Sequence, residues 1–261
     1  MPPSTVLFIP GSFTLPTAFD PIITALSTHN ISARALHLPS IGLAPNTGRS
    51  GPPPSMYSDA SFIAAEVQKE IDQGRDVTLI AHSYGGVPAT ESLKGLGKSE
   101  REAQAKKGGV VRLGYISALV PRVGVAAGEV MAGVPEESNL TGALGVDENG
   151  WLYPNPPSKC AALLLSDLPQ KEAESAMEGL ARQSSVSFGG ALTYPGYKNV
   201  PVSYLVCEDD QAVPVELQRE EIAMVEQESG KLVDVKTIKT GHCPHITAPD
   251  KVVEWVLSIS S

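Results

Sequence analysis

Cysteine is scarce in this chain: three among 261 residues, Cys160, Cys207 and Cys243, far apart and without metal-ligand spacing. An odd, sparse count gives no disulfide framework and suits a reducing compartment. Basic residues are outnumbered, 20 Lys and Arg against 29 Asp and Glu, for a formal net charge of −9. Nucleic acid and anionic membrane surfaces are recognised by clustered positive charge, so neither is expected as a partner. The one short basic cluster, QAKK at 104–107, reads as a solvated loop. No window approaches the roughly 18–20 apolar residues needed to cross a bilayer. The opening stretch, MPPSTVLFIPGS, lacks the basic and apolar segments of a secretory leader, and a cytoplasmic location is the expectation.

What is present is an ordinary globular composition, 42% hydrophobic and 19% charged. The length suits one large domain, or one domain carrying an insertion. Short β-branched runs alternate with amphipathic stretches. TVLFIP (5–10), SARALHL (32–38), DVTLIAH (76–82) and VVRLGYIS (110–117) read as strands, with helices over 17–30, 57–74 and 87–96 between them. The rhythm is lost from about Val120 to Val200, where two helices are expected near CAALLLSDL and QKEAESAMEGLARQ. It returns with strands VPVSYLVC (200–207) and LVDVKTI (232–238), each followed by a helix. The pattern predicts an α/β fold, a mostly parallel sheet flanked by helices. A core formed by 1–120 and 200–261 would carry a cap over 121–199, inserted after about the sixth strand.

In such a sheet, sites form at the carboxyl ends of strands. Ser83 stands at one, in VTLIAHSYGGVPATESL (77–93). This is a variant of the G-x-S-x-G elbow, where a tight strand-to-helix turn lifts a serine hydroxyl above the sheet. Small residues are required two before and two after the serine, and here they are Ala81 and Gly85. A serine nucleophile needs a base, and the base an orienting carboxylate, in the chain order serine, acid, histidine. The segment after strand 200–207 is Glu208-Asp209-Asp210, and the segment after strand 232–238 contains Gly241-His242-Cys243-Pro244-His245. Asp210, with Asp209 as the alternative, and His242 complete the set. His82 flanks the elbow with its side chain expected to point away. His245 is assigned to the substrate pocket or the helix entry. Backbone N–H groups of Tyr84 and Ser12 are the expected oxyanion donors. Phe13, next to Ser12, is a pocket candidate. Trp151, Leu152, Tyr153, Leu163, Leu164, Leu165, Met177, Phe188 and Tyr194 are candidates for an apolar wall.

The motifs VLFIPGSF, LHLPSIG, AHSYGG, EDDQAVP and GHCPH together resemble the α/β-hydrolase superfamily. Within it they are most similar to small fungal and bacterial serine hydrolases related to plant methylesterases and hydroxynitrile lyases. The similarity covers the chain before about residue 120 and after about 200. It implies Ser83, Asp210 and His242 as nucleophile, orienting acid and base, with Ser12 and Tyr84 supplying amides. Many relatives carry His-Gly on the first loop; this chain has Pro10-Gly11 instead. The expected activity is hydrolysis of a carboxylic ester or lactone of a small, mainly apolar molecule, requiring no cofactor or metal. The alternatives are a lyase or cyclase using the same three residues, or a small-molecule receptor.

Overall fold

The first strand, β1 (Ser4–Ile9), buries both of its faces. Val6 and Phe8 pack into one hydrophobic cluster, Leu7 and Ile9 into another. A strand that is apolar on both sides must lie between two helical layers. The structure, a computed structural model, describes residues 4–135 and 138–260. Met1–Pro3, at the head of the segment read above for a leader, lie outside them.

Helix α1 (Asp20–Thr28) leads to strand β2 (Ser32–Ala35), and helix α2 (Met56–Ile71) to strand β3 (Asp76–His82). Helices α3 (Gly86–Glu91) and α4 (Lys98–Glu102) precede strand β4 (Gly109–Ile116). In α2 the buried Ile63, Val67 and Ile71 recur every four residues, placing one apolar stripe against the sheet. The chain then makes its long excursion. This contains helix α5 (Ala127–Ala132), a small antiparallel sheet of β5 (Leu144–Val146), β6 (Trp151–Pro154) and β7 (Gln183–Ser184), and helices α6 (Pro157–Leu164) and α7 (Gln170–Met177). It re-enters the main sheet with β8 (Val202–Cys207), helix α8 (Val215–Ser229) and β9 (Asp234–Ile238), and ends through α9 (Pro244–Thr247) and α10 (Pro249–Ile259).

The main sheet is parallel throughout, in the order β2-β1-β3-β4-β8-β9. Residues of α1 and α10 cover one face, and residues of α2, α3 and α8 the other. The excursion leaves the sheet after its fourth strand, not near a sixth, because the chain enters directly at the interior strand β1 and only four strand-forming runs precede residue 120. The helix expected over 87–96 stops at Glu91. Among the described residues, no helix is long and apolar enough to cross a membrane.

From β1 the chain steps outward to β2, then returns to β3 on the other side of β1. The loops leaving β1 and β3 therefore diverge, which opens a crevice at their carboxyl ends. Ile9 pairs with Ala81 across these two strands. That register puts the loop beginning at Pro10 beside Ser83.

Candidate active site

Ser83 opens the turn between β3 and α3 with a φ of +51°. A non-glycine residue in this left-handed region costs about 1–3 kcal/mol and needs firm support from its surroundings. The support is steric closeness. A Cβ on Gly85 would lie 2.5 Å from the carbonyl oxygen of Pro10 and 2.7 Å from that of Ile9. Only a glycine lets the backbone of the turn settle onto the end of β1. The Ser83 carbonyl also accepts the Leu119 N–H at 3.0 Å, tying the turn to the segment that follows β4.

The hydroxyl of Ser83 lies 2.9 Å from Nε2 of His242, and Nδ1 of His242 lies 2.7 Å from Oδ2 of Asp210. An ionised carboxylate only accepts, so Nδ1 carries the ring proton and Nε2 presents its lone pair to the serine O–H. Asp210 is 4% exposed and His242 2%. The second carboxylate oxygen, Oδ1, accepts the backbone N–H groups of Ala212 and Val213, both at 2.8 Å. Gln218 of α8 donates to Oδ2 at 3.3 Å. Asp209 is exposed, and its carbonyl accepts the Ser166 hydroxyl.

Strands β3 and β9 are three places apart in the sheet, roughly 14 Å at about 4.8 Å per strand. The loop after β9 must therefore lean back across two strands to reach Ser83. Two donors draw it over. The His242 carbonyl accepts Nε2–H of His82 at 2.8 Å and the Ser117 hydroxyl at 3.0 Å, from the ends of β3 and β4. From the far side, Asp167 of the excursion accepts the Gly241 N–H at 3.0 Å and the Thr247 hydroxyl at 2.7 Å.

His82 therefore points toward the site rather than away from it, and its ring centroid is 4.8 Å from that of His242. Burial, then the neighbouring His245 and His242, hold its pKa well below the usual imidazole value. It is neutral, with its proton on Nε2. His245 lies outside the cavity, contrary to the pocket alternative, and stands at the helix entry, the other place expected for it. It is 1% exposed, stacks on Phe19 at 4.7 Å and meets the edge of His82 at 4.5 Å. Pro244 starts a single helical turn at this point. That turn swings residue 245 into the core and leaves Cys243 and Ile246 on the cavity side. Burial lowers the His245 pKa to about 3. One potential ligand atom from each of His82, Cys243 and His245, all three buried, lies within 4.8 Å of the other two.

Ser12, Phe13, Ser83, Tyr84 and His242 share one cavity of about 340 Å³. Among the described residues, neither the Ser12 nor the Tyr84 backbone N–H has a protein acceptor. Among the described residues, no Asp, Glu, Lys or Arg lines the cavity, whose walls are mainly leucine, methionine and phenylalanine. Leu152, Leu164, Leu165, Met177 and Phe188 are on the wall, as their apolar segments suggested. Trp151, Tyr153, Leu163 and Tyr194 are not: Trp151 packs against Gly48, and the Tyr194 hydroxyl donates to Glu100.

Three polar residues escaped the sequence reading. Gln218 braces Asp210, and its side chain also bonds both the N–H and the carbonyl of Cys207. Asp59, fully buried on α2, accepts the Tyr84 hydroxyl at 2.7 Å. Gln183 meets the backbone of Phe13. Each is one glutamine or aspartate in an unremarkable local context, and only its distant partners mark it.

The sequence profile of the Alpha/beta hydrolase family matches residues 6–255 of this chain. A protein described as probable hydrolase R7, from a Phoma species, is 34% identical over 260 residues, covering 98% of this chain and 97% of the relative. Alpha/beta hydrolase nvfD of Aspergillus novofumigatus is 29% identical, covering 96% of this chain and 94% of its own. A pyrethroid hydrolase of Sphingobium faniae superposes with a TM-score of 0.72 at 19% identity, over 100% of this chain and 98% of that one. Polyneuridine aldehyde esterase gives 0.72 at 16% identity, over 99% of both chains. At such identities the structures speak for the fold alone, while the profile and the Phoma relative span nearly the whole sequence. The elbow, the strand order and these matches agree, and the chain belongs to the α/β hydrolase family.

Proposed function

We propose that this protein is a serine hydrolase acting on a carboxylic ester or lactone of a small, neutral, mainly apolar molecule. The observation that carries the reading is the continuous hydrogen-bonded line from Ser83 Oγ through His242 to Asp210. His242 Nε2 takes the hydroxyl proton as Ser83 Oγ attacks the carbonyl carbon. Asp210 holds the ring in the tautomer that accepts at Nε2 and stabilises the imidazolium that forms. The tetrahedral oxyanion is met by the N–H groups of Ser12 and Tyr84. His242 returns the proton to the leaving alkoxide, and an acyl-enzyme on Ser83 remains. A water deprotonated by the same imidazole then releases the acid and restores the hydroxyl.

A wall whose described residues carry no charged side chain favours a neutral substrate, since burying an unpaired charge there is costly. The names of the relatives are consistent with hydrolysis: probable hydrolase for the Phoma protein, pyrethroid hydrolase and aldehyde esterase for the structural neighbours. The excursion between β4 and β8 supplies most of the apolar wall and acts as the lid. Turnover of p-nitrophenyl butyrate by the intact protein, lost in Ser83→Ala, tests the reading. A Ser83→Ala protein that still released nitrophenol at the original rate would refute it.

A further inference from the structure

Phe13 follows the residue whose amide is assigned to the oxyanion, and its φ is +65°. For a bulky side chain this left-handed conformation costs about 1–3 kcal/mol, so it persists only where neighbours enforce it. The enforcement comes from residues 181–183. The Phe13 carbonyl accepts the Ala181 N–H at 2.9 Å, and the Phe13 N–H donates to Oε1 of Gln183 at 3.3 Å. Gln183 is 170 residues further along the chain and belongs to β7 of the excursion.

Gln183 is itself completely fixed. It is fully buried, and its Nε2 donates to the hydroxyls of Ser40 at 3.0 Å and Ser187 at 2.8 Å. Both hydroxyls have spent their own protons: Ser187 on the Ser184 carbonyl at 2.7 Å, and Ser40 on Asp59 Oδ2 at 2.5 Å. They can only accept from the amide, which settles its orientation. Asp59 also accepts the Ser40 N–H at 2.9 Å and the Tyr84 hydroxyl at 2.7 Å. One buried line of hydrogen bonds thus runs from Phe13 through Gln183, Ser40 and Asp59 to Tyr84. Its two ends are Phe13, next to Ser12, and Tyr84, all three of which line the cavity.

We infer that Gln183 is a positioning residue for the oxyanion site, acting through the Phe13 peptide and coupling the excursion to the chemical step. The inference rests on the ester-hydrolase reading above. Amides that meet a developing oxyanion help only if they are already in place when the charge appears. A loosened Phe13 lets the Ser12 amide drift, which weakens the transition state more than the bound ester.

The test is turnover of p-nitrophenyl butyrate by Gln183→Met, a substitution of similar length without hydrogen bonds. Rates are expressed per competent site, counted by end-point titration with a fluorophosphonate, so that partial unfolding does not enter. The expected result is a 10- to 100-fold fall in kcat with KM within about threefold of the parent, less than the loss of a whole oxyanion donor. An unchanged kcat per site, or a loss carried by KM, overturns the inference. Should Gln183→Met fail to fold, Ser40→Ala decides, because it leaves Gln183 in place and removes one of its anchors. A fall in kcat of about 3- to 10-fold is expected there, and unchanged kcat overturns. Hydrolysis that depends on Ser83 but ignores both variants sinks only this inference. Hydrolysis that ignores Ser83→Ala sinks the reading beneath it.

Discussion

The carbonyl oxygen of His242 accepts Nε2–H of His82 at 2.8 Å, so one buried imidazole anchors the backbone of another. Because a carbonyl cannot donate, His82 must carry its proton on Nε2, and its lowered pKa keeps it neutral. The Ser117 hydroxyl shares the same acceptor.

Replacing His82 with Phe keeps a ring of similar size and deletes the donor. Ser117 still holds the loop, so the base is loosened rather than lost. A fall in kcat of about 10-fold is expected, matching the net worth of one buried hydrogen bond. Steady-state kinetics on a p-nitrophenyl ester would check it, and His82→Gln, whose amide can donate again, should recover part of the rate.

Gln218 connects stability to the same site. Gln218→Met removes the donor to Asp210 and strips bonds from the N–H and carbonyl of Cys207, both in the core. Each buried backbone group left unpaired costs about 1–3 kcal/mol. The variant should unfold at lower urea, by about 2–4 kcal/mol in total, and lose about 10-fold in kcat. Normal stability with normal turnover would show that the brace carries neither load.

Asp59 makes the protein's stability pH-dependent. Burial raises its carboxyl pKa to about 6, against the opposing hydrogen bonds from Ser40 and Tyr84. The folded state then binds the proton more tightly than the unfolded chain. Stability from this group is fully present below the unfolded value of 3.8, falls as pH rises toward 6, and is constant above. The size of the fall is about 3 kcal/mol. Urea unfolding of the parent and of Asp59→Asn at pH 3.5 and 7 should show the parent losing that amount relative to the variant. A difference independent of pH would remove Asp59 from the titration.

The cavity wall makes a prediction about size. Met177 lines the side built by α7. Met177→Trp fills space there, so KM for a naphthyl ester should rise about 10-fold, the kinetic equivalent of about 1–3 kcal/mol of overpacking. p-Nitrophenyl acetate, a much smaller ester, should be turned over at nearly the parent rate. Equal effects on both esters would place the acyl or alcohol portion elsewhere.

Much of this arrangement is written in local sequence. Leu7, Leu79 and Leu205 sit in continuous apolar runs because their strands are buried on both sides, and such runs are readable without partners. Gly85 is small because the elbow touches β1, and that requirement also shows locally. The edge strand β9 was read two residues too long, since four of its five residues are exposed and nothing apolar marks its start. Strands β5 to β7 are two to four residues each, too short for alternation to register. Gln183, Gln218 and Asp59 stayed invisible for a different reason. A buried polar side chain is licensed by partners brought together only by folding, as Gln183 and Phe13 are across 170 positions.

The most direct measurement is the mass of the intact protein, quenched during turnover of a slow p-nitrophenyl ester and followed by peptide mapping. The account predicts one acyl group per chain, located on Ser83, and no adduct in His242→Ala within the same time, its turnover being lower by about 10⁴–10⁶. Ester cleavage by a protein that never carries an acyl group on Ser83, or that acylates as fast without His242, would contradict it.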